Sequence, residues 1–316
     1  MKPEIHFFIG KGGVGKSTLS ALTALYFSGM GYSTLLASMD PAHNQRDIFE
    51  VKFSEKPQKI CANLQIKEID TDYWIARYLR ETREHLSRTY LYESAFVLQN
   101  HFKVLQFSPG LEEYALLLAF ENTLRQSPTH RVLIFDMAPT ALTLRFFSLP
   151  RVTHIWLKEL LKLRNLICEK KEIISRIRFG TCEMEGDPVK QKLNELMERH
   201  TRLNDIFYAQ TTHIHLIMNE DRLSFSEAVR IQQRLADIGI LIGHIAVNKA
   251  GAADLEAATS AAFKNQEISR FPLASDSMVG LGALQKYLRL NAESFLGLES
   301  PHRQVINAEQ WSPDPA

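Results

Sequence analysis

Short apolar runs alternate along this chain with longer stretches in which apolar residues recur at helical spacing. Ile5 to Ile9 is a compact apolar run stopped by Gly10, the pattern of a buried strand. A glycine-rich turn follows, and small and apolar residues then recur at helical spacing from Thr18 to Phe27, closed by Gly29 and Gly31. Ser33 to Ser38 reads as a second strand. Val132 to Phe135, Ile214 to Met218, Ile242 to Val247 and Ile268 to Phe271 read as further buried strands. Helical patterns at Ser224 to Ile238 and Ala253 to Phe263 separate the last three. Strand and helix alternating in this way predict an α/β fold, a doubly wound and mostly parallel sheet with right-handed crossovers.

Two stretches break the alternation. Tyr73 to Arg125 favours helix and is interrupted at Ser108-Pro109-Gly110; Thr153 to Phe207 is helical and charged, interrupted between Gly180 and Pro188. Both are too long for loops in a compact domain. They predict a helical subdomain built from insertions at about 73–125 and 153–207; the alternative is that they cover the sheet faces. Residues 300–316 are polar with three prolines and are expected to form a flexible tail.

Composition narrows the class. With 45% hydrophobic and 23% charged residues the chain is neither a disordered tail, a collagen-like repeat nor a disulfide scaffold. The 37 basic and 36 acidic residues leave +1, so no bulk field favours a nucleic acid or anionic lipid, although a local basic patch stays open. Cys61, Cys168 and Cys182 form no C-x-x-C pair, which speaks for reduced thiols. No apolar run reaches the roughly 18 residues of a membrane span, and the first residues lack a signal-peptide pattern. A cytoplasmic protein without a transmembrane segment is expected.

The strongest chemical signal is Gly10-Lys11-Gly12-Gly13-Val14-Gly15-Lys16-Ser17, a G-x-x-x-x-G-K-[ST] loop between a predicted strand and a predicted helix. Glycines let successive backbone N–H groups turn inward into an anion-holding nest, and the helix beginning near Lys16 adds its positive end. This predicts ATP or ADP on Gly12, Gly13, Val14, Gly15, Lys16, Ser17 and Thr18. Lys16 would reach the β- and γ-phosphates, the Ser17 hydroxyl would ligate Mg²⁺, and Thr18 would add an α-phosphate contact. Asp40, after the second strand, can orient attacking water; Asp136, ending the Val132 to Phe135 strand, can hold the Mg²⁺ shell. Lys11 makes the loop resemble the deviant K-G-G-x-G-K-[ST] form, whose extra lysine reaches the partner subunit's nucleotide. The other reading of Lys11 is a solvated lysine on the loop rim.

Together with Asp40-Pro41-Ala42-His43-Asn44 and the D-x-A-P-T-x-x-T-L-R-F-x-x-L-P frame at Asp136 to Pro150, the loop resembles one family. It contains the arsenical pump-driving ATPase and the eukaryotic ATPase that targets tail-anchored membrane proteins. Pro109 to Glu113, Val247-Asn248 and Phe271-Pro272-Leu273 add support. The resemblance implies a single P-loop ATPase domain over 1–316. It also implies a homodimer through the nucleotide face, with a hydrophobic client or membrane-protein partner. Carried over, Asp40 is the water-orienting residue, Asp136 the magnesium-shell carboxylate and Asn248 the adenine reader. Pro272 starts the loop packed on the adenine. For Asn248 a strand-end cap is the alternative.

Departures from the family pattern matter equally. Thr140-Ala141-Leu142 stands where the family usually has Thr-Gly-His, which stiffens the second switch. The zinc C-x-x-C of the tail-anchor branch is absent. Cys168 and Cys182 do not match the metalloid-ligand pattern, and Cys61 alone between loop and second switch argues against an iron–sulfur reductase. The altered second switch keeps a second reading open, a nucleotide-gated scaffold with little or no turnover. His213 and His215 alternate along a strand and read as structural, and Trp74 and Trp156 are expected to pack in the helical part, where an exposed apolar face would instead mark a client site.

Overall fold

The computed structural model describes residues 2–42, 44–89, 108–179, 187–251 and 255–298. Its centre is an eight-stranded sheet: β1 (Glu4–Gly10), β2 (Thr34–Ser38), β3 (Gln58–Cys61), β4 (Leu64–Glu68), β5 (Val132–Asp136), β6 (Thr212–Asn219), β7 (His244–Ala250) and β8 (Glu267–Pro272). The spatial order is β3-β4-β2-β5-β1-β6-β7-β8. Every pair is parallel except β3 with β4. All six strands expected from apolar runs are present. The β3–β4 edge was not expected: β3 is short and half exposed, and β4, though buried, has only Leu64 and Ile66 as apolar positions.

Helices, numbered among the described residues, are α1 (Lys16–Gly29), α2 (Asn44–Phe49), α3 (Thr71–Thr89), α4 (Leu111–Gln126), α5 (Thr140–Phe179), α6 (Pro188–Tyr208), α7 (Arg222–Asp237), α8 (Glu256–Ala262) and α9 (Leu281–Leu290). A 3₁₀ helix, Ala292–Leu298, follows. From β1 the chain winds one way through β2, and later the other way through β6, β7 and β8. The strand order therefore reverses at β1, and the crevice at its carboxyl end is where doubly wound sheets bind ligands.

The chain divides into two compact units, Met1–Arg145 with Gln210–Ala316, and Phe146–Ala209. In the first, α1 is buried almost all round and packs with Phe8, Leu36, Ile134 and Ile217 of the sheet. Ser20 and Thr23 survive there because their hydroxyls donate back to the carbonyls of Ser17 (2.9 Å) and Leu19 (2.7 Å). The described parts of the first long helical stretch, α3 and α4, belong to this unit, and Trp74 is buried in it. The second stretch makes up the other unit.

In that second unit Phe146, Phe147 and Phe207 form a buried ring cluster with centroids 5.1–5.4 Å apart. Asp187 caps α6, accepting from the N–H groups of Val189 and Lys190, and takes a bidentate pair from Arg164 at 2.8 and 3.0 Å. Along the opposite surface of α5, Val152, Ile155, Trp156, Leu163, Leu166 and Ile167 are all exposed, with the charged Glu159 and Lys170 among them. At 3.6 residues per turn these positions fall within about 120° of one helix face. Trp156, expected to pack, is 68% exposed on that stripe. The expectation fails because Trp156 lies on the helix face opposite the phenylalanine cluster's inward positions. Cys182, the tail 300–316 and His43 lie outside the described residues.

Candidate active site

The loop after β1 begins with a glycine that only glycine can be. Gly10 has φ 149°, and a Cβ there would collide with the Ile217 carbonyl oxygen of β6. Gly13 and Gly15 are left-handed, at φ 81° and 93°. Gly15 sits at the N-cap of α1 with no side-chain cap, and the first turn of α1 carries no acid. Its first N–H groups are therefore left for an anion. Lys16 is 5% exposed, and its ammonium donates to the Lys11 carbonyl at 3.3 Å. Burial pulls the Lys16 ammonium down, while the charges of Asp136 and Asp40 pull it up.

Around this loop lies an open cavity of about 650 Å³. Of the residues expected at the site, Gly12, Gly13, Gly15, Lys16, Ser17, Thr18, Asp40, Asn248 and Pro272 all line it. Val14 is buried under the loop, and the side chain of Lys11 is exposed on the rim. Asp136 does not line the cavity; it is fully buried next to Ser17. Burial raises its carboxyl to about 6, an effect partly offset by hydrogen bonds from Ser17 and Gln45 and by the charge on Lys16. One of its oxygens, Oδ1, makes no hydrogen bond.

A buried carboxylate oxygen without a donor, beside a hydroxyl facing the phosphate loop, is the donor set a hydrated Mg²⁺ uses. The residues present therefore fit that ion.

The segment after β2 closes the site from the side. Asp40 Oδ1 accepts from the Ala42 N–H at 3.0 Å, and Asn44 donates to Ser17 Oγ at 3.3 Å. Gln45, fully buried, donates through Nε2 to Asp136 Oδ2 at 3.0 Å and to the Ser17 carbonyl at 3.0 Å. Gln45 thus ties both acidic and phosphate-facing groups together. Sequence reading missed it, although it directly follows the D-P-A-H-N segment.

Asn248 reaches the loop itself. Its amide donates to the Val14 carbonyl at 2.7 Å, its Oδ1 accepts from the Lys249 N–H at 2.9 Å, and it fills the space a Cβ on Gly15 would need. Lys249 follows at φ 54°, where the β7–β8 register shifts, so a bulge turns it toward the cavity. At the far wall Tyr287 of α9 donates to the Pro272 carbonyl at 2.7 Å and holds the β8 exit. Nothing in the sequence pattern marked Tyr287.

The second switch passes directly from Asp136 through buried Met137 and Ala138 into α5. Ala141 and Leu142 lie in the first turn of this helix, and Thr143 Oγ1 closes it by donating to the Ala138 carbonyl at 2.6 Å. Arg145 pairs with buried Glu113 at 2.9 Å, joining this frame to the Pro109 to Glu113 segment.

A sequence profile of the Anion-transporting ATPase family matches residues 3–258. The chain is 31% identical over 260 residues to a protein of Aquifex aeolicus named arsenical pump-driving ATPase 1, covering 78% of this chain and 63% of that one. It is 28% identical over 247 residues to the arsenical pump-driving ATPase 2 of the same organism, covering 78% and 80%. Against an ATPase ASNA1 homolog of Plasmodium vivax it is 32% identical over 248 residues, covering 77% and 62%. The chain therefore spans less than two thirds of the first and third of these relatives. With the P-loop NTPase fold and the loop geometry above, the match over most of the chain decides the family: this chain belongs to the Anion-transporting ATPase family.

Proposed function

We propose that this chain is a Mg²⁺-dependent ATP hydrolase that works as a nucleotide-gated homodimer in the cytoplasm, with its helical unit holding a hydrophobic client or membrane-protein partner. The observation that carries the catalytic part is the convergence of Lys16, Ser17 and Asp40 on one cavity, with Asp136, whose Oδ1 has no hydrogen bond, against Ser17. The loop N–H groups and Lys16 bind the phosphates and take up charge as the bond to the γ-phosphorus breaks. Asp40 orients a water for in-line attack, giving ADP and phosphate. Ser17 and Asp136 would hold Mg²⁺, which would supply positive charge against the phosphates. Asn248 and Pro272 border the base end of the cavity, and Lys11, exposed on the rim, is free to reach the partner's nucleotide.

Two observations support the output role. The chain leaving Asp136 enters α5 within four residues, so a change at the γ-phosphate acts on the start of that helix. Later residues of α5 carry the exposed apolar stripe, the kind of surface a hydrophobic helix would cover. None of the described helices is long and apolar enough to cross a membrane itself.

The test is phosphate release by the full chain with Mg²⁺ and ATP. Wild type is expected to turn over; Lys16→Ala loses ATP binding and hydrolysis, and Asp40→Asn loses hydrolysis while still binding ATP. Tight ATP binding without phosphate release would instead favour the scaffold reading. The observation on its side is that Ala141 and Leu142 are already wound into α5, leaving no glycine hinge in the switch.

A further inference from the structure

The opposite end of the sheet gathers imidazoles. Glu4 and His6 lie two residues apart on β1, hence on one face, and the parallel register sets His6 beside His213 of β6. On the same face His215 follows His213, and the β6–β7 register sets His244 beside His215. The His6 ring lies 4.8 Å from that of His213 and 5.2 Å from that of His215, nearly parallel to the latter. His6 lies about four residues, roughly 13 Å along β1, from the start of the phosphate loop. This cluster is thus separate from the nucleotide cavity, and the ATPase chemistry does not use it.

From this arrangement we propose that Glu4, His6 and His213 form a binding site for a divalent late first-row transition ion, zinc foremost. The ligand atoms of these three side chains all lie within 4.8 Å of one another. A tetrahedral zinc with bonds of about 2.0–2.1 Å needs its ligand atoms ~3.3 Å apart. Glu4 Oε2 already stands 3.9 Å from His6 Nε2, and its side chain, 30% exposed at the edge of the cluster, has room to move further in.

Three further observations support the site. His6 is fully buried, yet its Nε2 makes no hydrogen bond; the nearest acceptor, Glu4 Oε2, is 3.9 Å away. Its other nitrogen, Nδ1, is 2.9 Å from His215 Nε2, and a hydrogen bond there fixes the ring with Nε2 turned toward Glu4 and His213. His213 is itself only 9% exposed, so both imidazoles are shielded from water while Glu4 stands at the edge.

Two imidazoles and one carboxylate without a thiolate suit zinc, and also copper, nickel and cobalt, better than the hard ions Mg²⁺ and Ca²⁺. Glu4, at the rim, gives the entry path and leaves a fourth position open to water. His213, read from its strand alone, is a structural residue; β1 changes that reading by bringing two more donors alongside.

The experiment titrates the full chain, stripped of metal and kept in excess Mg²⁺, with Co²⁺ followed by visible absorption. The expected result is one equivalent bound with tetrahedral d–d bands, displaced by Zn²⁺. Glu4→Ala, at a partly exposed strand start, is expected to lower affinity about tenfold or more. His213→Gln should do the same, while phosphate release by Glu4→Ala stays at the wild-type rate. If His213→Gln does not fold, Glu4→Ala decides alone. Absence of saturable binding, thiolate charge-transfer bands, or full affinity retained in Glu4→Ala would each overturn the proposal.

Discussion

Asp136 is fully buried at the site, and its energetics can be worked out. Its carboxyl titrates at about 6 in the fold against 3.8 when exposed. A raised acid makes the folded protein bind more protons than the unfolded chain between these values. Its contribution to stability is therefore fully present below about pH 3.8 and is lost as pH rises through about 6. In the absence of nucleotide and Mg²⁺, Asp136→Asn should be more stable than wild type at pH 7.5, on the order of 2–3 kcal/mol at most. That advantage should shrink toward pH 4, as melting temperatures at the two pH values would show. The same variant should lose Mg²⁺-dependent hydrolysis. Fold stability and function thus pull in opposite directions at this residue, which is expected where a carboxylate is kept for a metal. The sequence revealed Asp136 by its place at a strand end. It could not reveal Gln45, since a glutamine after a known motif has no signature until the fold turns it onto Asp136.

At the scale of elements, apolar runs marked five central strands because parallel strands buried on both faces read as continuous hydrophobic stretches; the edge strand β8 was marked by Ile268 and Phe271. β3 and α9 were illegible for other reasons. One is short and half exposed, and the other owes its role to a single tyrosine hydroxyl. Tyr287→Phe removes the bond that holds Pro272 and should raise the KM for ATP roughly fivefold, about 1 kcal/mol, with kcat little changed. Steady-state kinetics separate the two. Ala141→Gly should cost α5 up to about 1 kcal/mol of stability. If a stiff first turn limits the switch, the same substitution should raise kcat. A fall in both stability and kcat would show that the wound turn is what the chemistry needs. Gly10 shows the reverse case, a residue whose need is plain only from outside its own loop, in the carbonyl of Ile217.

Across the whole molecule, the two units divide the labour that the proposed function requires. The first holds every described residue assigned to the nucleotide, and the second presents the apolar stripe on α5. The stripe was only half legible in sequence. Its residues occur at helical spacing, but spacing cannot say which helix face is left uncovered, and Trp156 was misjudged for that reason. Trp156→Asp with Leu163→Asp should abolish capture of a hydrophobic helical peptide while leaving basal phosphate release within about twofold, because both side chains already face water. Pull-down with such a peptide and a phosphate assay on the same preparation would check this.

The central claim is that two copies of this chain complete each other's nucleotide sites, and complementation between inactive subunits tests it most directly. Lys11→Ala and Asp40→Asn chains, each co-expressed with itself, should hydrolyse little ATP. Co-expressed together in equal amounts, half the dimers are mixed, and one of their two sites has both an intact Asp40 and a Lys11 donated by the neighbour. The account predicts recovery to about a quarter of the wild-type rate. No recovery, or a Lys11→Ala chain that is fully active alone, would contradict it.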